Sequence, residues 1–212
     1  KDKSFEYMLE FFKQRKFTTL FIDGNHENFD MLEEYPVEDW HGGKARHLLR
    51  DKVIHLTRGQ VFDIDSLSIF TFGGAASHDI QGGLFRRDDP DFKAKVMLAK
   101  TNMLPYRVIG ESWWEQEMPN EAEMNEGIRN LEVHNWQVDY VITHTLSSRL
   151  LPDVSDILGV AGGMKKDRLT EYFEKLEDRL QYRKWYSGHY HTDSILDDRH
   201  KVTYKGMEEL RQ

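Results

Sequence analysis

The chain has 212 residues, which at about 150 residues per domain reads as a single domain, large enough to fold without a disulfide or structural metal. It has no cysteine, which excludes a disulfide scaffold, a cysteine nucleophile, an iron–sulfur cluster and a thiolate zinc site, and fits a reducing, cytoplasmic setting. Its 29 Lys and Arg against 37 Asp and Glu give a net charge of −8, which argues against a long nucleic acid as partner, and a mean hydropathy of −0.70 with no long apolar run argues against a membrane span.

Phe5, Met8, Leu9 and Phe12 recur at helical spacing, and Lys13, Arg15 and Lys16 load the end of that helix. Phe17 to Ile22 is β-branched and aromatic, which predicts a buried strand running into Asp23-Gly24-Asn25-His26-Glu27. A short helix is expected from Asn28, stopped by Pro36. Residues 52–73 read as a meander of three strands, Lys52 to Leu56, Gln60 to Ile64 and Leu67 to Phe72, with a turn at Asp65-Ser66. Gly73-Gly74 then opens a polar loop from Ala75 to Arg87, and Pro90 precedes a helix with its body over Phe92 to Lys100.

Residues 101–119 are irregular by pattern. Asn120 with Glu123 three residues on predicts a capped helix running to about Asn135. Val138 to Thr143 is a strand ending at His144, and residues 145–166, with Pro152, Gly159, Gly162 and Gly163, read mostly as loop. Asp167 caps a helix whose stripe is Leu169, Tyr172, Phe173, Leu176 and Leu180. A strand from Lys184 to Tyr190 follows, then a hairpin around Asp197-Asp198 into Lys201 to Tyr204.

Three polar clusters end apolar strands: Gly24-Asn25-His26-Glu27, Thr143-His144-Thr145 and Gly188-His189-Tyr190-His191. In an extended segment residues i and i+2 share a face, so His189 and His191 are expected side by side. Imidazole is the commonest ligand for zinc, iron, copper and nickel, and an Asn oxygen adds a hard neutral donor. Each cluster also has a plainer reading, as a solvated turn or a histidine bonded to backbone. Their order, each after a strand, favours one shared metal site.

These blocks resemble the second half of the calcineurin-like metallophosphoesterase signature: Gly-Asn-His-Glu at residues 24–27, His144 after a strand, and Gly-His-Tyr-His at residues 188–191. The resemblance implies an α/β fold of two mixed β-sheets packed as a sandwich and flanked by helices. It implies metal-dependent hydrolysis of a phosphate mono- or diester at a dinuclear centre. Carried over residue by residue, Asn25, His144 and His189 would bind one metal and His191 the other, while His26 matches the family's catalytic histidine. Two divalent ions are implied, with Mn²⁺, Fe, Zn²⁺ and Ni²⁺ all compatible with nitrogen and oxygen ligands.

The family's two earlier blocks, Asp-x-His and Gly-Asp-x-x-Asp, have no counterpart before Phe17, and the chain opens on Lys1-Asp2-Lys3 without Met. The expectation is therefore a domain lacking its first strands, from residue 1 to 212, which Asn25, His144, His189 and His191 alone leave metal-poor and nearly inactive. The orienting acid that the family gives its catalytic histidine lies in a missing block, and Glu27 is not promoted to that role. His78 and Asp79 are candidates to touch substrate, Arg86-Arg87 to grip phosphate, and Trp113-Trp114 to sit in the core or over the site. His41, His47, His55, His134 and His200 show no partner pattern. Two rival functions stand: a non-catalytic interaction protein on the same scaffold, and a nuclease acting on short nucleic acid.

Overall fold

The computed structural model describes residues 3–212, and their side chains from Phe5 on. The architecture is α/β. Six α-helices, α1 (Lys3–Lys13), α2 (Phe29–Glu33), α3 (Phe92–Thr101), α4 (Glu121–Val133), α5 (Leu151–Leu158) and α6 (Arg168–Glu177), accompany two mixed sheets among the described residues. The four-stranded sheet runs in the order β1 (Thr19–Phe21), β4 (Val53–Leu56), β3 (Gly43–Leu49), β2 (Val37–Trp40). The six-stranded sheet runs β11 (Ser194–Ile195), β12 (His200–Val202), β10 (Lys184–Ser187), β9 (Tyr140–Thr143), β6 (Leu67–Phe72), β5 (Gln60–Ile64). A small parallel pair, β7 (Gly83–Phe85) and β8 (Tyr106–Val108), lies apart from both.

The pleat sorts each strand's side chains between two faces. On β4, Ile54 and Leu56 join Ala45 of β3 and Phe62 of β5 in one buried cluster, which ties the two sheets together. Val53, from the other face, packs with Phe5 of α1 and with Phe29 and Leu32 of α2. On β6, Phe70 and Phe72 meet Leu131 of α4 and Leu169, Phe173 and Leu176 of α6, forming the largest core. Ile69 of β6 and Tyr140 of β9 face the opposite way, where Leu210 of the C-terminal segment covers them.

Three sequence expectations are corrected here. The three strands of residues 52–73 form no meander: β4 pairs with β1 and β3, while β5 and β6 are a hairpin in the other sheet. The strand over Phe17 to Ile22 is half-buried rather than buried, because β1 is a sheet edge, and Phe17 is 60% exposed. Residues 145–166 contain α5, with Pro152 in its first turn and Gly159 in the left-handed conformation at its end. Both residues act as helix boundaries, not loop markers. The β2–β3 hairpin had no predicted counterpart. Its turn at His41 and Gly42 has φ of 47° and 87°, and a register shift between His47 and Leu49 breaks the alternation that would have marked the strand.

Three strands decide where the candidate site lies. β6, β9 and β10 are parallel neighbours, with Phe72, Thr143 and Ser187 level in register. The ladder continues one step past the strand ends, where His144 N–H donates to Phe72 O at 3.2 Å and Gly188 N–H to His144 O at 3.1 Å. Crevices outside the carboxyl ends of parallel strands are the usual ligand sites of open α/β sheets.

Candidate metal centre

β1 leads into Asp23, the anchor of the donor loop. Asp23 is buried, with its carboxylate accepting from Arg58 Nε at 2.9 Å, Arg58 Nη2 at 2.5 Å and His55 Nε2 at 3.0 Å. Burial alone pushes this acid up, but Arg58 and His55 outweigh it and hold the pKa at about 2. The backbone oxygen of Asp23 accepts from Gly74 N–H at 2.9 Å, which ties the donor loop to the loop after β6.

Beyond that anchor the loop presents Asn25 and His26 to a crevice of about 380 Å³, bordered as well by His144, His189, His191 and His78. Asn25 Oδ1 lies 3.3 Å from His144 Nε2. The rings of His144 and His189 are 5.2 Å apart, as are those of His78 and His189. Residues separated by 119 positions, Asn25 and His144, thus meet at one point. Burial, with the neighbouring histidines adding to it, lowers His144 to about 4 and His189 to about 3. Both rings are neutral at pH 7, the form that offers a lone pair to a metal.

His189 and His191 are not side by side on an extended segment, which corrects the sequence expectation. The chain leaves β10 at Ser187 and turns: Tyr190 N–H donates to Gly188 O at 2.8 Å around His189, whose φ is 67°. This is a γ-turn, and His191 follows with φ 50°. Left-handed backbone at a non-glycine residue costs roughly 1–3 kcal/mol and collects at functional sites. The turn sends His189 toward His144, whereas His191 is exposed and stacks on Tyr204 at 4.9 Å. Tyr190 points inward and shares a 2.8 Å hydrogen bond with Thr145.

The donor chemistry suits a divalent ion at Asn25, His144 and His189: an amide oxygen and two neutral imidazoles. No carboxylate completes it. Asp23 is taken up by Arg58, and Asp79 at the crevice rim is bound by Arg107. Glu27 accepts from Gly24 N–H at 3.4 Å and is raised in pKa, first by burial and then by Asp23. Among the described residues no group of three or more His, Asp or Glu is arranged to hold a metal ion.

Of the remaining candidates, His78 joins the crevice. Arg87 pairs with Glu111, away from it. Trp114 belongs to the core beside α1 and α2 and donates to Asp30 at 2.8 Å. His55, without a partner pattern in sequence, is the buried neighbour of Asp23. Sequence reasoning missed Ser77 and Glu117 behind Asn25, and Leu158 and Met164 on the crevice wall. No local signal marks the first pair, which are 40 residues apart. No family model matches the chain, and neither the curated proteins nor the solved structures give a match. No helix among the described residues is long and apolar enough to cross a membrane.

Proposed function

We propose that this chain carries part of a calcineurin-like dinuclear metal centre for hydrolysis of a phosphate mono- or diester, with metal affinity and activity low in this chain by itself because its donor set holds no carboxylate. The observation that carries the reading is the meeting of Asn25, His26, His144 and His189 in one crevice at the ends of strands from two sheets. Asn25, His144 and His189 would hold one ion and His191 the other. Mn²⁺, Fe, Zn²⁺ and Ni²⁺ all accept such donors. When bound, a pair of divalent ions supplies a hydroxide at neutral pH and neutralises charge on the phosphoryl oxygens.

The chain's own residues do the rest. His26 borders the crevice beside Asn25 and is placed to give a proton to the leaving oxygen. Asp79 stands close enough to His26 to interact with it electrically, and its tie to Arg107 keeps it at the rim. Leu158 and Met164 add apolar surface to one side of the crevice. The net charge of −8 favours a small ester or short oligonucleotide over a long polymer.

The absence of a carboxylate from the donor set favours a second reading, an interaction protein on the same scaffold, because neutral donors leave the charge of a dication uncompensated. Loading with Mn²⁺, desalting and elemental analysis, beside hydrolysis of p-nitrophenyl phosphate and bis(p-nitrophenyl) phosphate, separates the two. The phosphoesterase reading expects bound metal that His189→Ala removes. It expects His26→Asn to lower kcat by roughly 10²–10⁴-fold while the metal content stays. A folded chain with neither metal nor hydrolysis points to the interaction protein.

A further inference from the structure

Asn25 is held from behind by two residues outside the donor set. Its Nδ2 donates to Ser77 Oγ at 3.1 Å, while its Oδ1 lies 3.3 Å from His144 Nε2. Ser77 in turn donates its hydroxyl to Glu117 Oε2 at 2.6 Å, and its backbone N–H to Glu117 Oε1 at 2.9 Å. Asn25, Ser77 and Glu117 are 5%, 6% and 3% exposed, so water does not substitute for these bonds. A hydroxyl has one hydrogen. Here it is committed to a carboxylate whose two oxygens both accept, so only lone pairs of Oγ remain for Asn25. The amide must then turn its nitrogen toward Ser77 and its oxygen toward the histidines. Nδ2 also lies 3.4 Å from His26 Nε2, whose role as donor or acceptor follows its tautomer.

We propose that Glu117 and Ser77 are positioning residues that decide which atom of Asn25 faces the crevice. The proposal rests on the metal-centre reading for its consequence, since an amide oxygen offers a cation a lone pair and an amide nitrogen does not. Groups behind metal ligands commonly set ligand orientation in this way.

The network makes one substitution diagnostic. In Glu117→Gln the backbone N–H of Ser77 can only donate, so the glutamine oxygen must take the Oε1 position and its nitrogen the Oε2 position. That nitrogen donates to Ser77 Oγ and releases the hydroxyl hydrogen. The hydroxyl now donates to Asn25 Oδ1, the amide turns over, and Nδ2 points at His144. Shape and burial are unchanged, yet the donor is lost. Asn25→Asp in the same background has no such reversal to suffer: one oxygen accepts from Ser77 and the other faces the histidines.

The test uses the whole chain as wild type, Glu117→Gln, Ser77→Ala and the double variant Asn25→Asp with Glu117→Gln. Mn²⁺ affinity is measured by calorimetry, and the Asn25 side-chain amide is followed by NMR in metal-free protein. We expect Glu117→Gln to weaken Mn²⁺ about 10–100-fold at an unchanged urea midpoint, with the double variant recovering most of the loss. In metal-free wild type the amide hydrogens should lie against Ser77, and in Glu117→Gln they should move away. Wild-type affinity in Glu117→Gln with an unturned amide, or a double variant no better than the single, overturns the proposal. Should Glu117→Gln fail to fold, Ser77→Ala takes its place: two exchanging amide orientations support the relay, and one fixed orientation overturns it. A wild type that binds no Mn²⁺ defeats the metal-centre reading, and the metal-free amide spectra then decide the orientation relay separately.

Discussion

Asp23 is the residue on which the donor loop hangs. Arg58 and His55 enclose its carboxylate, and Arg58 is itself 6% exposed, so neither charge can turn to water. Asp23→Asn leaves the buried Arg58 guanidinium with only its longer 3.4 Å contact to Glu123, which should cost about 3 kcal/mol, the low end for breaking a buried ion pair; urea unfolding measures it. The folded-state pKa of Asp23, about 2, lies below its ordinary value of 3.8. The acid therefore stabilises the fold fully above that ordinary value and loses its contribution as pH falls through the folded value. Wild type should show an acid transition in this window that Asp23→Asn lacks. Gly24 is a second sensitive point. A Cβ there would stand 2.9 Å from His144 Cε1 and 3.0 Å from Nε2. The imidazole must move, so Gly24→Ala should weaken Mn²⁺ binding in calorimetry while the melting temperature changes little.

At the scale of elements, α4 shows which local rules hold and which yield. Asn120 accepts from Glu123 N–H at 3.0 Å, and the Glu123 carboxylate accepts from Asn120 N–H at 2.8 Å. Asn120→Ala should cost about 1 kcal/mol in chemical denaturation. Gly127, in the same helix, opposes propensity. Replacing it by Ala should gain about 1 kcal/mol of helix propensity. A Cβ there, however, would stand 2.5 Å from the hydroxyl of Tyr172, which is buried and donates to Met124 O at 2.9 Å, and 3.3 Å from Gly59 Cα. Loss of that bond and the displacement of a packed ring cost about 1–3 kcal/mol, so Gly127→Ala should lower the denaturation midpoint. The same division explains what was legible. The helices at Phe5, Asn120 and Asp167 announce themselves through periodicity and caps, both local properties. The β2–β3 hairpin does not, since its charged strands sit at and beside a sheet edge and carry a register shift.

For the molecule as a whole, the C-terminal segment is part of the fold. Leu210 packs against the sheet face formed by Ile69, Tyr140 and Tyr186, and Glu208 bonds to Tyr186, Lys184 and Lys201. Removing residues 207–212 should lower stability by about 1–3 kcal/mol, the order of one buried aliphatic side chain, and raise binding of a hydrophobic dye. By itself the sequence determined the α/β alternation, most strand and helix positions, and the three polar clusters that hold Asn25, His144, His189 and His191, because these follow from short-range pattern and residue chemistry. Only the tertiary structure decided that β4 and β5 part into different sheets, since sheet membership depends on which backbone groups pair across the chain. It decided that His189 turns toward His144 while His191 turns toward Tyr204, through a γ-turn that no composition encodes. It also placed Glu117 and Ser77 behind Asn25, because a buried hydrogen-bond chain is fixed by packing between distant segments and leaves no mark in local sequence.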